Sequence, residues 1–363
     1  MKILVLGGGQ QGRVIASDLA QSLATAKVDV ADVREPELPR LGNLHWVEAD
    51  LSDGTALARR MSTYELTIGA LPSRLGFAAM RAAIDARRPL VDVSFCTEDA
   101  LSLDAGAKRA NVTILPDCGL APGLTHLCAG HAAADAVPDE ITIYVGGVAQ
   151  DRRRPFGYVV TWSLDDLLEE YVRPARVMRG GVPVSLPVFS DLDRVTVPGV
   201  GEMESFLSDG LRTLIDTMPS VRTMSERTLR WPGHVAEVQP LVESGRFLEE
   251  FRSRCVARPA LDLVAMMTVV RHGSRARRAT LVDRYDPVRG LTAMSRTTAL
   301  TTSAVAQWVA AGGGGAPGVR PLELAGANAN AYAAVTGTLE RRGVRIFWDE
   351  GAWPPTPTAE RLA

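Results

Sequence analysis

The chain opens on a strand, a glycine turn and a helix with no residue to spare between them, and nothing later constrains the fold as tightly. Residues 2–6 are a short apolar run of the kind buried on both faces of a parallel sheet, and Gly7-Gly8-Gly9-Gln10-Gln11-Gly12 follows at once. Residues 13–23 then carry Val14, Ile15, Leu19 and Leu23 on one helical stripe, so the turn delivers its N–H groups to a helix N-terminus. A pyrophosphate belongs there. Gly7 permits the tight turn, Gly9 lets a dinucleotide approach the backbone, Gly12 lets the helix sit close to the strand, and Gln10 and Gln11 fill the positions between.

Residues 27–33 read as a second strand, and Asp32 at its end lies twenty residues beyond Gly12, where an acid meets the ribose hydroxyls. A carboxylate there repels a 2′-phosphate, so NAD is expected rather than NADP, with Arg34 softening the choice. Residues 44–49 form a third strand ending at Asp50, which is either a second cofactor contact or part of a plain helix cap over residues 50–53. Strand 65–69 runs into Ala70, Leu71 and Pro72, a loop at the carboxyl end of the sheet where ligands of open α/β folds collect.

Helix 75–86, strand 90–95, helix 98–110 and strand 112–115 continue the alternation, with Asp92 inside an otherwise apolar strand, needing either a hydrogen-bond partner or a function. Residues 116–123 place Asp117 and Cys118 among two prolines and two glycines at a strand end, a rigid polar corner suited to an active site. Helix 124–136 carries His126, Cys128 and His131. Their spacing points them to different sides, so no metal site is expected.

Beyond residue 139 strict alternation stops. A half-buried strand at 140–148, aromatics at 156–161, an acidic helix at 164–171 capped by Ser163, a hairpin at 176–188 turning at Gly180-Gly181, an amphipathic helix at 203–218 and strands at 261–272 and 278–285 indicate an α+β unit with a largely antiparallel sheet. Residues 297–310 and 328–342 are helical again, 312–315 is a flexible connector, 344–348 is a short final strand and residues after 351 form a Pro-rich tail expected to be poorly ordered. The expected fold is α/β: a Rossmann-type doubly wound parallel sheet followed by an α+β substrate domain.

A length of 363 residues allows two domains, and a net charge of −2 argues against a nucleic-acid or membrane partner. The arginines at 152–154 and 271–278 are short clusters balanced by acids elsewhere and read as solvated faces. Four cysteines without close pairing and no leader-like or bilayer-length apolar run lead to the expectation of a cytoplasmic protein with reduced thiols.

Residues 117–123 (DCGLAPG), 145–147 (VGG), 158–163 (YVVTWS), Glu170-Tyr171, 206–214 (FLSDGLRTL), 228–234 (TLRWPGH) and 293–298 (AMSRTT) together resemble the saccharopine dehydrogenase-like family, and within it the lysine 6-dehydrogenases. The resemblance implies an interrupted nucleotide domain: residues 1–117, a substrate domain at 118–293, helices at 294–350 returning to the first sheet, and a tail at 351–363. It also implies a homodimer paired through the second domain. The reaction implied is NAD-dependent oxidation of a carbon bearing nitrogen, for lysine at the ε-carbon, releasing ammonia and an aldehyde that cyclises to a piperideine carboxylate.

That chemistry needs a base for the ammonium, a wall that holds the reacting carbon, and a cation for the substrate carboxylate. Tyr158, Asp92, Asp117 and His126 are candidates for proton transfer, with Cys118 as a polar wall and His234, after a Pro-Gly turn, as either a proton carrier or a surface histidine. Arg173, Arg212, Arg230 and Arg296 are candidates for the carboxylate, Arg212 and Arg230 first, and Trp162 either covers the alkyl chain or packs in the core. The arginines of residues 151–155 bring extra positive charge toward the substrate segment, which would favour a dicarboxylic partner or a modified amine. A saccharopine-type dehydrogenase joining an aldehyde to an amino acid is therefore the enzymatic rival, and a non-catalytic NAD(H)-binding regulator the rival of another class.

Overall fold

The computed structural model describes residues 1–352. The first half builds a parallel sheet from β1 (Lys2–Leu6), β2 (Lys27–Asp32), β3 (Leu44–Glu48), β4 (Leu66–Gly69), β5 (Leu90–Asp92) and β6 (Thr113–Leu115), joined through α1 (Gln10–Ser22), α2 (Gly54–Met61), α3 (Ser73–Ala86) and α4 (Asp104–Ala110). Its order is β6-β5-β4-β1-β2-β3, so the chain reverses direction across the sheet beside β1, where doubly wound folds open a crevice. Alternation along β1 sends Ile3 and Val5 to one core and Leu4 and Leu6 to another, all fully buried, so both faces need helices.

After α5 (Leu124–Ala132) the chain builds a mixed sheet from β7 (Glu140–Ala149), β8 (Ala175–Arg179), β9 (Val182–Leu186), β10 (Leu192–Val197), β11 (Gly201–Ser208), β12 (Thr223–Arg230), β13 (Asp262–His272) and β14 (Arg275–Arg284), with α6 (Leu164–Val172), α7 (Leu214–Thr217), α8 (His234–Glu243) and α9 (Phe247–Arg254) between them. All its pairings are antiparallel except that of β12 with β7. α10 (Ala293–Ala310) then lies against α1, and β15 (Gly318–Val319) adds a parallel strand beside β6. After α11 (Leu322–Gly326) and α12 (Ala329–Arg341), β16 (Phe347–Ala352) closes the second sheet against β14.

Several sequence expectations shift. α1 starts at Gln10 because Gly9, extended at φ −68°, already serves as its N-cap. The expected helix at 98–110 is a 3-10 turn at Ala100–Leu103 followed by α4. The amphipathic helix expected at 203–218 is instead the end of β11, a turn, and the four-residue α7. Met203, Phe206, Leu207, Leu211 and Leu214 match a helical stripe by number, but Glu204 to Ser208 pair across to Arg230 to Glu226, a contact that sequence spacing does not reveal. The final strand lies three residues later than expected, and most of the Pro-rich tail falls outside the described residues.

Candidate active site

The turn after β1 has the shape a dinucleotide needs. Gly7 has φ +93° and its Cβ would stand 2.5 Å from the Ala70 carbonyl oxygen, while a Cβ on Gly12 would stand 1.9 Å from that of Gly7. Over Gly9 there is open space: a Cβ would meet nothing within 4 Å. Gln11 Oε1, buried beside it, has no hydrogen-bond partner among the described residues. Asp32 accepts from the Gly8 and Arg34 amides at 2.7 and 3.0 Å, which holds its carboxylate at the end of β2. A glycine cradle, an open helix N-terminus, an orphaned acceptor and a terminal acid fit a dinucleotide. Gly9→Val is therefore expected to leave the melting temperature nearly unchanged and to weaken NADH binding about 100-fold, roughly 2.7 kcal/mol. Titration calorimetry reads it, and unaltered affinity would remove the cofactor from this turn.

Gly7, Gly9, Gln10, Gln11, Asp32, Ala70, Leu71 and Pro72 all line one cleft of about 490 Å³ that runs from the first sheet to the second. Gly12 is not in its wall, since its part is the close approach of helix to turn. Asp50 is not there either: its exposed carboxylate accepts from the Ser52 amide and hydroxyl, while Asp53 caps α2.

The corner at 116–123 offers backbone to the cleft rather than its acid and thiol. Gly123, at φ +134°, lies so close to Gly119 that a Cβ would stand 2.1 Å from the Gly119 oxygen, and the closed loop turns Gly119, Leu120, Ala121 and Pro122 into the wall. Asp117 points away, into a buried ion pair with Arg212 at 3.2 Å. The Cys118 thiol donates to the Leu115 carbonyl at 3.3 Å, and burial raises its pKa well above that of an ordinary thiol. Asp92 is fully buried behind Ser94. One oxygen accepts the Ser94 amide, the other has no partner among the described residues, and desolvation pushes the carboxyl up to about 8.

His126 Nε2 must donate to the Leu211 carbonyl at 3.0 Å, which leaves Nδ1 to accept the Gly123 amide, so this ring is a brace for the corner. Of the proton-transfer candidates, only Tyr158 lines the cleft. Its hydroxyl accepts from Trp162 Nε1 at 3.2 Å, and burial raises the phenol pKa, opposed by the Arg230 cation.

At the far end, Arg230 and Arg173 both reach the cleft, and Trp162 stands beside them. Arg230, 2% exposed, donates to Tyr171 Oη, the Leu229 carbonyl and Glu170 Oε2 at 2.8, 2.9 and 2.8 Å. Tyr171 in turn meets His234 Nε2 at 2.8 Å. Because Nδ1 of that ring donates to the Phe156 carbonyl, Nε2 accepts the tyrosine proton. His234 is thus neither surface residue nor pocket group, and burial lowers its pKa to about 3. Arg173 spends Nε and one terminal nitrogen on Glu169, and its Nη1 has no partner among the described residues.

Arg212 lies behind Phe95, outside the cleft, held by Asp117. Arg296 is elsewhere, paired with Asp283 and Asp286 in a second cleft. The arginines at 152–154 do not line the cleft; Arg152 covers the Trp231 ring and Arg153 pairs with Asp151.

Sequence reasoning passed over most of the acids here. Asp166, Glu169, Glu170, Asp209 and Glu226 line the cleft with Ser208, Gly210, Met294 and Thr298. Glu170, Ser208, Asp209, Gly210, Met294 and Thr298 lie in segments that carried the family resemblance, which was the available signal; Glu226 lies two residues before one. No cluster of three or more His, Cys, Asp or Glu suited to a metal ion occurs among the described residues, and no described helix is long and apolar enough to cross a membrane.

The chain is 26% identical over 171 residues to saccharopine dehydrogenase (NADP(+), L-glutamate-forming) of Pyricularia oryzae, a stretch covering 44% of this chain and 38% of that protein. It is 25% identical over 262 residues to the mitochondrial alpha-aminoadipic semialdehyde synthase of Bos taurus, covering 67% of this chain and 28% of that one. The match thus spans well under half of either relative. The apo saccharopine dehydrogenase (L-Glu forming) of Saccharomyces cerevisiae superposes with a TM-score of 0.70 at 17% identity, over 97% of this chain and 100% of that chain, which shows the shared fold. Residues 3–115 match the saccharopine dehydrogenase NADP binding domain and residues 119–344 the saccharopine dehydrogenase C-terminal domain, and the chain accordingly belongs to the saccharopine dehydrogenase family.

Proposed function

We propose that this chain is an NAD(P)-dependent oxidoreductase that oxidises an amine-bearing carbon of an amino acid, L-lysine at its ε-carbon, yielding ammonia and an aldehyde that cyclises to a piperideine carboxylate. One observation carries the reading: a single cleft joins the glycine cradle and Asp32 to a far wall where Arg173, at the end of α6, keeps a buried donor without a partner among the described residues, beside carboxyl groups. The dinucleotide, when bound, supplies the hydride acceptor. Gly7, Gly9, Gln10, Gln11 and Asp32 would hold it, and Asp32 favours NAD by repelling a 2′-phosphate.

Arg173 Nη1 would take the substrate carboxylate, because Glu169 fixes the other side of its guanidinium and leaves this buried nitrogen without an acceptor among the described residues. Trp162 and Tyr158 supply an apolar side wall for an alkyl chain. The sign of the remaining charge favours a diamine acid. Glu169, Glu170 and Asp209 are each matched by an arginine, which leaves Asp166 and Glu226 without a cation among the described residues and suits a substrate with one carboxylate and two ammonium groups better than a tricarboxylate such as saccharopine. The homodimer reading rests on the family resemblance alone, since Tyr144, Leu229, Leu263 and Met267 of the second sheet are already buried within the single chain.

Lysine, ornithine, diaminopimelate, saccharopine and agmatine should be offered with NAD and with NADP at alkaline pH, following reduced-cofactor absorbance. Lysine with NAD is expected to give the highest kcat/KM. Turnover of saccharopine with lysine inert would transfer the assignment to the saccharopine-type reaction, and binding of NADH without turnover of any amine would make the chain a regulator. Sedimentation of the same sample at single-chain mass would remove the dimer.

A further inference from the structure

We propose that Glu226 is the group that selects a protonated amine in this cleft, its Oε2 receiving the ammonium and then accepting one of its protons. The proposal rests on the amine reading above and gives that reading the base it lacks.

β12 alternates, so Glu226, Thr228 and Arg230 share one face of the second sheet, and the register sets Glu226 opposite Ser208 of β11 and Ile143 of β7. The side chain lines the cleft, yet the residue is only 5% exposed. Oε1 accepts from the Ser208 hydroxyl at 3.4 Å, while Oε2 has no partner among the described residues. The space it occupies is kept by a glycine: a Cβ on Gly210 would stand 1.7 Å from Oε1 and 2.2 Å from Oε2.

The other acids of the cleft are already engaged. Glu170 is paired with Arg230, Glu169 with Arg173 and Asp209 with Arg176; Asp166 accepts from the Ser73 hydroxyl, and Asp32 from two amides. Glu226 forms no ion pair among the described residues. A buried carboxylate without a cation is unfavourable, so the group waits as a carboxylic acid until a cation arrives. The charged groups acting on it are consistent with this: Glu170 and Asp209 oppose its ionisation and Arg212 assists, and burial, the dominant cause, pushes it up to about 8.

A ligand ammonium at Oε2 supplies the missing cation. The carboxyl then ionises and its proton leaves to solvent. In the step that prepares the amine, the ammonium N–H bond breaks toward Oε2, its electron pair stays on nitrogen, and the products are a neutral amine and a neutral carboxylic acid. Charge and protons balance without any further reactant. The same geometry disfavours a carboxylate at this point of the cleft, since it would face Glu226, Glu170 and Asp209 together.

The test uses the full chain in two assays. In calorimetry at pH 7 with lysine, repeated in buffers of different ionisation enthalpy, the wild type should release close to one proton on binding and Glu226→Gln none. In steady-state oxidation of lysine with NAD, wild-type kcat/KM should rise with pH and bend near 8. Glu226→Gln should lose about 100-fold and the bend, with NADH affinity unchanged. Gly210→Ala keeps the acid but displaces it, and should show the same loss.

Proton release that persists in Glu226→Gln, or a variant within threefold of wild type with its bend intact, overturns the role of Glu226 while leaving amine oxidation standing. Proton release confined to the wild type, with no turnover of lysine, keeps the amine site and removes the oxidation. Failure of lysine to bind overturns both.

Discussion

Arg230→Met is expected to destabilise the folded chain by about 3–5 kcal/mol, the range for removing one partner of a buried ion pair. The guanidinium is nearly inaccessible, uses Nε, Nη1 and Nη2 as donors, and lies 5.2 Å from the centre of the Tyr158 ring. Methionine fills much of the volume and none of the electrostatics. It leaves the Glu170 carboxylate, whose pKa desolvation already raises, without its cation, and it leaves the Tyr171 oxygen without a charged donor. Urea unfolding at pH 7 reads the loss directly. The double variant Arg230→Met with Glu170→Leu should recover part of it, because no uncompensated charge then remains. A single variant within about 1 kcal/mol of wild type would mean that water reaches this network freely and the walls are not as dry as drawn.

Acid is expected to act through His234. Folded, the ring is neutral and burial holds its pKa near 3, against 6.5 for an ordinary histidine. Between those values the unfolded chain binds one more proton than the folded one at this site. The contribution is therefore fully present above about pH 6.5, and it is lost as pH falls toward 3, at about 1.4 kcal/mol per pH unit. Asp92 and Glu226, both pushed up to about 8, act with the opposite sign: their contribution is present at low pH and fades as pH rises toward 8. The difference between wild type and His234→Gln cancels those carboxyls and isolates the histidine. A difference in unfolding free energy that stays flat between pH 7 and 5 would show that the ring titrates normally. The structural reason for the sensitivity is directional: a proton on Nε2 would meet the Tyr171 hydroxyl hydrogen, while Arg230 already occupies the other side of that oxygen.

What could be read in advance from the residue order divides along the reach of the interactions. The first strand, the glycine turn, α1 and Asp32 are spelled out within one βαβ unit, where each residue's neighbours in space are its neighbours in the chain. The hairpin at Gly180-Gly181 was legible for the same reason. The helix expected at 203–218 failed because β11 is held by β10 and β12, and a stripe of apolar residues cannot distinguish a helix face from a strand followed by a turn.

The site divides the same way. Residue order set the corner at 116–123 at the end of the first sheet, and residues 119–122 of it line the cleft, but it did not show which way the side chains turn. The left-handed backbone at Asp117 and the closure of Gly123 on Gly119 send the acid to Arg212 and the thiol to a carbonyl. Glu226 escaped notice because an acid between Ser225 and Arg227 looks like an ordinary solvated strand position. Only the stacking of β7, β11 and β12 shows that its face is the inner one.

α10 ties the two walls of the cleft together. At its start the Ala293 and Met294 amides bind the Asp262 carboxylate and Met294 presses on Gly147, which fastens it to the second sheet. Further along, Thr302 reaches the Cys118 carbonyl and Ser303 and Gln307 reach Asp18 of α1, which fastens it to the first. A rod of eighteen residues, about 27 Å long, thereby bolts the two sheets together along one side of the cleft. Across the opposite lip the Ser73 hydroxyl donates to the Asp166 carboxylate at 2.6 Å and Arg173 lies 5.0 Å from the centre of the Phe95 ring, so a doorway on that side would have to release both contacts.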